Sequence, residues 1–163
     1  MIVELYPSEI LYLQDSISPI FNNGIPMLAT FRDLLYGDLS VDDIRTISVF
    51  QWDVRGECQW YVHSGHRRLY MFKRLQKQGV VDTITAWELH KVRWGSVHRK
   101  NNSTTGGKSV VIRNDKSFVG NLGNIIKRWK NQHHNEDYSQ HYETVYYDTS
   151  STSSDDYYYY RYY

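Results

Sequence analysis

Apolar positions along this chain alternate with a period of two in some segments and recur at helical spacing in others, which predicts an α/β fold. Ile2 to Leu5 alternates weakly and reads as a short first strand; a turn at Tyr6-Pro7-Ser8-Glu9 leads to a second extended piece through Leu11-Tyr12-Leu13. Met27, Phe31, Leu34 and Leu35 then fall at i, i+4, i+7 and i+8, behind a favourably placed Pro26 and ahead of Gly37, a residue suited to ending a helix in the left-handed conformation. Ile44 to Phe50 and Trp60 to His63 are β-branched and aromatic runs around Asp53-Val54-Arg55-Gly56, and they predict a hairpin.

The next helix is predicted from about Gly65 to Gln78, with Ser64 as N-cap and Gly79 as stop. Its apolar stripe is Leu69, Phe72 and Leu75, widened by Met71. Thr83 to Leu89 and Ser109 to Arg113 read as strands. They are separated by the polar loop Asn101 to Lys108, whose Thr104-Thr105-Gly106-Gly107-Lys108 has only a loose likeness to a phosphate-binding loop. Phe118, Leu122, Ile125 and Trp129 predict an amphipathic helix. Gly120 and Gly123 inside it each cost about 1 kcal/mol relative to Ala, so it is expected to form by docking its apolar face. From 135 to 163 the chain is rich in Tyr, Ser, Thr and Asp with almost no aliphatic residues, and is expected to be a disordered acidic tail. The predicted organisation is therefore a domain over residues 1–113, a helical extension over 114–134 and the tail.

Charge sharpens this division. A formal net charge of +1 averages two opposed regions: residues 93 to 130 hold nine Lys/Arg against the single acid Asp115, whereas residues 135 to 163 hold six acids against Arg161. A solvated face beside a tail accounts for this, as does a nucleic-acid surface with an intramolecular competitor. No apolar run is long enough to span a bilayer, and the N-terminus does not read as a secretory signal. With Cys58 as the one cysteine, the expectation is a soluble, intracellular chain. His133, His134 and His141 lie in a polar segment without the geometry of a metal site, so no metal is assigned to them.

The densest candidate chemistry lies in Ser64-Gly65-His66-Arg67-Arg68, where an aromatic strand stops at a small-residue turn and a basic helix begins. The first turn of a helix leaves amide hydrogens unpaired at the positive end of its dipole, so Ser64, Gly65 and His66 are expected to aim donors at a phosphate. Arg67 and Arg68 add guanidinium forks that match phosphate oxygens. These residues point to a ligand class rather than to a reaction.

Taken in order, Ile47-Ser48-Val49-Phe50, Gln59-Trp60-Tyr61-Val62, Gly65-His66-Arg67-Arg68-Leu69-Tyr70 and Ile84-Thr85-Ala86 resemble the ParB/sulfiredoxin superfamily across roughly residues 2 to 113. The resemblance extends to Gln14-Asp15-Ser16-Ile17 and Phe21-Asn22-Asn23-Gly24, which are similar to segments of its uncharacterised members. It implies a small mixed sheet with packed helices, and phosphate binding by Gly65 and Arg68 with Arg67 close behind. Sulfiredoxins carry a reactive cysteine at the position matched by His66, so their repair chemistry is not implied here. Met71 stands where ParB-like members tend to have a small residue, and residues 114 to 163 hold no counterpart to their DNA-reading helix-turn-helix.

Two function classes follow. One is a nucleotide- or phosphate-binding domain, taking a nucleotide with Mg²⁺ and extending to phosphohydrolase or phosphotransfer activity; Glu4, Glu9 and Asp15 are its nearest acid or base candidates, with His63 and His66 able to face the same pocket. The other is a non-catalytic module. It would either associate with nucleic acid through residues 93–130, Trp94 and Trp129 stacking on bases, or act as a protein scaffold through the tyrosine-rich tail.

Overall fold

The computed structural model describes residues 1–146, with side chains through His133. The chain divides into two units, Met1–Ile126 and Lys127–Tyr163. The first unit contains strands β1 (Ile2–Leu5), β2 (Ile10–Leu11), β3 (Ser16–Ile17), β4 (Ile47–Val54), β5 (Glu57–Ser64), β6 (Ile84–Glu88) and β7 (Val111–Ile112). Its helices are α1 (Met27–Tyr36), α2 (His66–Lys77) and α3 (Trp94–Lys100), and α4 (Phe118–Tyr146) begins in it.

The fold is α/β. Five strands form a mixed sheet in the order β1-β6-β4-β5-β2, and β3 pairs in parallel with β7 in a small second sheet. The β4–β5 hairpin turns on Arg55 and Gly56, with φ of 59° and 85°. Two consecutive left-handed residues match the twist of the flanking strands, and Asp53 accepts the Gly56 amide at 2.8 Å. This turn lets β4 run on to Val54, past the end of the apolar run at Phe50.

Tyr61 and Val62 are both buried, so both faces of β5 are covered. Phe50 and Tyr61 cluster with Leu13 and with Val97 of α3. Val49 and Val62 lie opposite each other across the hairpin, and α2 packs on β4, β5 and α1. The stripes predicted for α1 and α2 are the buried ones: Met27, Phe31, Leu34 and Leu35, then Leu69, Met71, Phe72 and Leu75. Helix α2 ends at Gln78 and Gly79, where the Gly79 amide reaches the Gln76 carbonyl and the Val80 amide reaches that of Leu75. The last orphan carbonyls are thereby satisfied.

Four elements differ from the sequence reading, the first being β3, since no strand was read at Ser16–Ile17. Helix α3 lies in a segment read only as basic. Helix α2 is capped by Gly65 rather than Ser64, because Ser64 still pairs with Ser48 as the last residue of β5. Helix α4 continues past His134 to Tyr146, into the segment expected to be disordered from residue 135; after Gly123 the chain holds no Gly or Pro to interrupt it. Residues 147–163 of that expected tail lie outside the described residues. At the start of α4, Phe118 is 1% exposed and Leu122 is buried, with the Phe118 ring edge-on to Tyr70 of α2 at 6.0 Å. The expected docking thus holds for this first turn, whereas Val119 points out at 62% exposure.

Candidate functional site: a cationic cleft at the start of helix α2

The bend between β5 and α2 requires a glycine twice over. Gly65 has φ of 101°, and a Cβ there would sit 2.7 Å from Ile47 Cγ2 and 3.1 Å from Arg68 Nη2. A glycine cap also brings no side chain to the first turn of the helix. The Leu69 amide reaches back to the Gly65 carbonyl, and those of His66, Arg67 and Arg68 have no acceptor among the described residues. The sequence reading expected such donors at Ser64, Gly65 and His66; His66 is common to both sets, and Arg67 and Arg68 take the other two places because the helix starts after Gly65.

They open on a cleft of about 1060 Å³. All five residues singled out in the sequence, Ser64, Gly65, His66, Arg67 and Arg68, line it. Three further cations arrive from distant parts of the chain: Arg45 from the approach to β4, Lys100 from the end of α3 and Arg113 from just beyond β7. Apolar walls come from Ile17, Ile20, Phe21, Ile25, Leu39 and Ile44.

The two arginines of the motif are partly committed to structure. Arg67 donates through Nη1 to the Ile20 carbonyl and through Nη2 to Asn22 Oδ1 at 2.7 Å, with its guanidinium 5.5 Å from the Phe21 ring centre. It holds the segment before α1 against the mouth of the cleft. Arg68 donates through Nη1 to the carbonyls of Arg45 and Thr46, the latter at 3.0 Å. Burial, then the neighbouring Arg45 and Arg67, lower the Arg68 pKa from its ordinary value.

His66 is not a cation here. It is 8% exposed, its ring lies 6.5 Å from that of Tyr12 at a 25° tilt, and its Nε2 is buried without a hydrogen-bond partner among the described residues. Burial first, then Lys100, His63 and Arg67, push its pKa down to about 4. His63, also on the cleft, is lowered by burial and then by Lys100.

Negative charge is scarce. Among the lining residues Asp43 is the one carboxylate, and its Oδ2 already accepts the Ser40 amide at 3.0 Å in a reciprocal cap. The ion pairs found among the described residues, Arg32–Asp33 and His90–Glu88, involve none of the cleft cations. Five cationic side chains therefore face one occupied carboxylate.

Glu4, Glu9 and Asp15 are not brought to the cleft. Glu4 accepts the Thr83 hydroxyl, and Asp15 accepts the amide and hydroxyl of Thr104, the latter at 2.7 Å. That second contact also settles the loop after α3, whose groups are spent internally. Gly107 packs against the Leu11–Tyr12 backbone, its carbonyl accepting the Tyr12 amide at 2.8 Å and its amide reaching Ser103 Oγ at 2.8 Å. Among the described residues no three His, Cys, Asp or Glu side chains are grouped to hold a metal ion. The donor set accordingly does not fit a protein-held Mg²⁺.

Sequence reasoning missed the convergence of Arg45, Lys100 and Arg113. The basic run from Arg93 was visible, but nothing in its spacing says which of its members turns back toward the β5–α2 bend. Compared with known proteins, the chain matches no family model, no curated protein and no solved structure. No described helix is long and apolar enough to cross a membrane.

Proposed function

We propose that the cleft at the start of α2 binds a phosphate-bearing small molecule, with nucleotides as the first class to test. One observation carries this reading: five cations line a single cleft in which the one carboxylate is already engaged. Like charges gathered in this way repel, and an oxyanion entering among them relieves the repulsion while accepting the free amides of the first turn. The apolar wall from Ile17 to Ile44 suits the non-phosphate part of such a ligand. Membership of the ParB/sulfiredoxin superfamily is part of the proposal. It is supported by the order of strand, glycine bend and basic helix, and by the cleft that forms there. The proposal is of binding rather than turnover, because the expected carboxylates lie elsewhere and His66, its pKa pushed down to about 4 chiefly by burial, is a weak base. An intracellular setting fits the exposed thiol of Cys58.

A second reading, association with nucleic acid through residues 93–130, is favoured by Trp94, which is 46% exposed. Trp129 supports it less, being half-buried with its ring 4.6 Å from His133. The tail on which a scaffold role would rest lies, from residue 147, outside the described residues.

The test is stabilisation against urea by pyrophosphate and by nucleoside mono-, di- and triphosphates, each with and without magnesium. A ligand at about one hundred times its Kd adds about 2.7 kcal/mol. Lys100→Ala and Arg113→Ala, which remove cations without known structural bonds, should each weaken binding several-fold. Absence of stabilisation by every phosphate compound, or equal affinity in the double variant, refutes the reading.

A further inference from the structure

Next to the cleft, and outside it, α3 carries an aromatic platform. Trp94 stands 5.6 Å from Trp52 and 6.1 Å from Phe50, and His98 lies 6.2 Å from Trp94 and 5.8 Å from Trp52. Phe50 and Trp52 lie mostly under this group, while the Trp94 ring is open to solvent. An exposed indole backed by other rings offers a face on which a molecule with a flat ring can stack.

Charge says what kind of molecule that is. From Leu89 to Asn114 the sequence holds six Lys/Arg and no acid, and Lys91, Arg93 and Arg99 are exposed around the platform. An apolar protein partner would find these charges costly to bury, whereas a phosphodiester strand would be drawn to them.

Geometry connects platform and cleft. Lys100, six positions beyond Trp94, lines the cleft, and helix geometry puts it about 9 Å further along the axis of α3 and about 120° round it. A second link runs through the sheet: Trp94 meets Phe50 edge-on, and Phe50 in turn meets His63 at 6.3 Å, a residue of the cleft wall. The cleft and the platform are thus neighbours through α3 and through the buried Phe50, which is the basis for one strand reaching both.

We propose that the protein binds the phosphorylated end of a single-stranded nucleic acid, the terminal phosphate entering the cleft at Gly65–Arg68 and an adjacent base stacking on Trp94. The proposal rests on the cleft being a phosphate site. Stacking needs a base freed from pairing, so a duplex of the same sequence binds more weakly. The aromatic face accepts any base, so recognition is of the end and of single-strandedness, not of sequence.

Fluorescence anisotropy tests this with short labelled DNA and RNA oligonucleotides bearing a 5′-phosphate, a 3′-phosphate or no terminal phosphate, and with a matching duplex. Pyrophosphate binding is measured in parallel. The expected result is preference for one phosphorylated end, loss of that preference in Lys100→Ala, and an affinity about 5- to 150-fold lower for oligonucleotides in Trp94→Ala. Trp94→Phe, which keeps an aromatic face, should retain most of the affinity and guards against a folding defect in the alanine variant. Failure of both pyrophosphate and oligonucleotides to bind overturns both readings. Pyrophosphate binding with oligonucleotides no tighter, or with Trp94→Ala and Trp94→Phe equal to wild type, overturns this proposal and leaves the cleft as a small-molecule site. Dimerisation that disappears in Trp94→Ala while oligonucleotide binding is unaffected also overturns it, giving the platform to a second copy of the chain.

Discussion

Replacing His66 by Phe should make the protein more resistant to mild acid. The buried imidazole has its pKa held at about 4, against an ordinary 6.5 that it regains on unfolding. As pH falls, the unfolded chain takes up a proton at this residue before the folded one does. The stability His66 confers is thus complete above about pH 6.5 and is lost as pH drops toward its folded value. Worked through the linkage relation, the loss at about pH 4.5 is about 2–3 kcal/mol. A phenylalanine keeps an aromatic ring against Tyr12 and has nothing to titrate. Urea denaturation at about pH 7 and about pH 4.5 measures the effect. Carboxylates elsewhere lose stability in both proteins, so the quantity of interest is the difference between the two drops. Equal drops, within about 0.5 kcal/mol, would refute the assignment of a buried, neutral histidine. Pyrophosphate provides an internal comparison: an anion beside Lys100 and Arg67 offsets two of the charges that depress the histidine, so its effect on the drop between the two pH values should differ between wild type and variant.

Two further substitutions probe the walls of the cleft. Gly65→Ala forces a Cβ into left-handed backbone and to within 2.7 Å of Ile47, which should cost about 2–4 kcal/mol in chemical denaturation; a loss below about 1 kcal/mol would mean that the bend is not as tight as described. Arg67→Ala removes the bonds to Ile20 and Asn22, and hydrogen exchange should show residues 18–26 losing protection while the amides of α2 beyond its first turn keep theirs. Unchanged exchange in that segment would show that the arginine does not hold it.

Local pattern recovered the elements whose causes are local. The stripe Met27-Phe31-Leu34-Leu35 ended by Gly37 is α1, the apolar face of α2 is Leu69-Met71-Phe72-Leu75, and Arg55-Gly56 turns the hairpin. What escaped had non-local causes. Helix α3 has seven residues with Gly95 inside it, and of these Val97 alone is fully buried, so no stripe exists to be read. Strand β3 is two residues long and exists through its pairing with β7, across more than ninety positions of sequence, whereas β7 itself falls within the strand read over Ser109 to Arg113. The N-cap was misplaced for a related reason: Ser64 has the right side chain, but its pairing with Ser48 keeps it in the sheet and hands the corner to Gly65.

The candidate site shows the same division between what is local and what is assembled. An uncapped first turn by itself decides nothing, since α1 and α3 also begin without a side-chain cap. What separates α2 is the company its free amides keep. Arg45, Lys100 and Arg113 come from segments with no sequence relation to the bend, Arg45 and Arg113 lining the cleft while open to solvent and Lys100 half-buried. They share the cleft with a histidine whose pKa is lowered by burial and then by Lys100, and with an arginine whose pKa is lowered by burial and then by Arg45 and Arg67. An arrangement that works against the stability of the empty fold is expected where a ligand of opposite charge completes it. The convergence supports the proposed anion site more strongly than the Gly-x-Arg-Arg spacing does, because the spacing accounts for two of the cations and the fold supplies the other three.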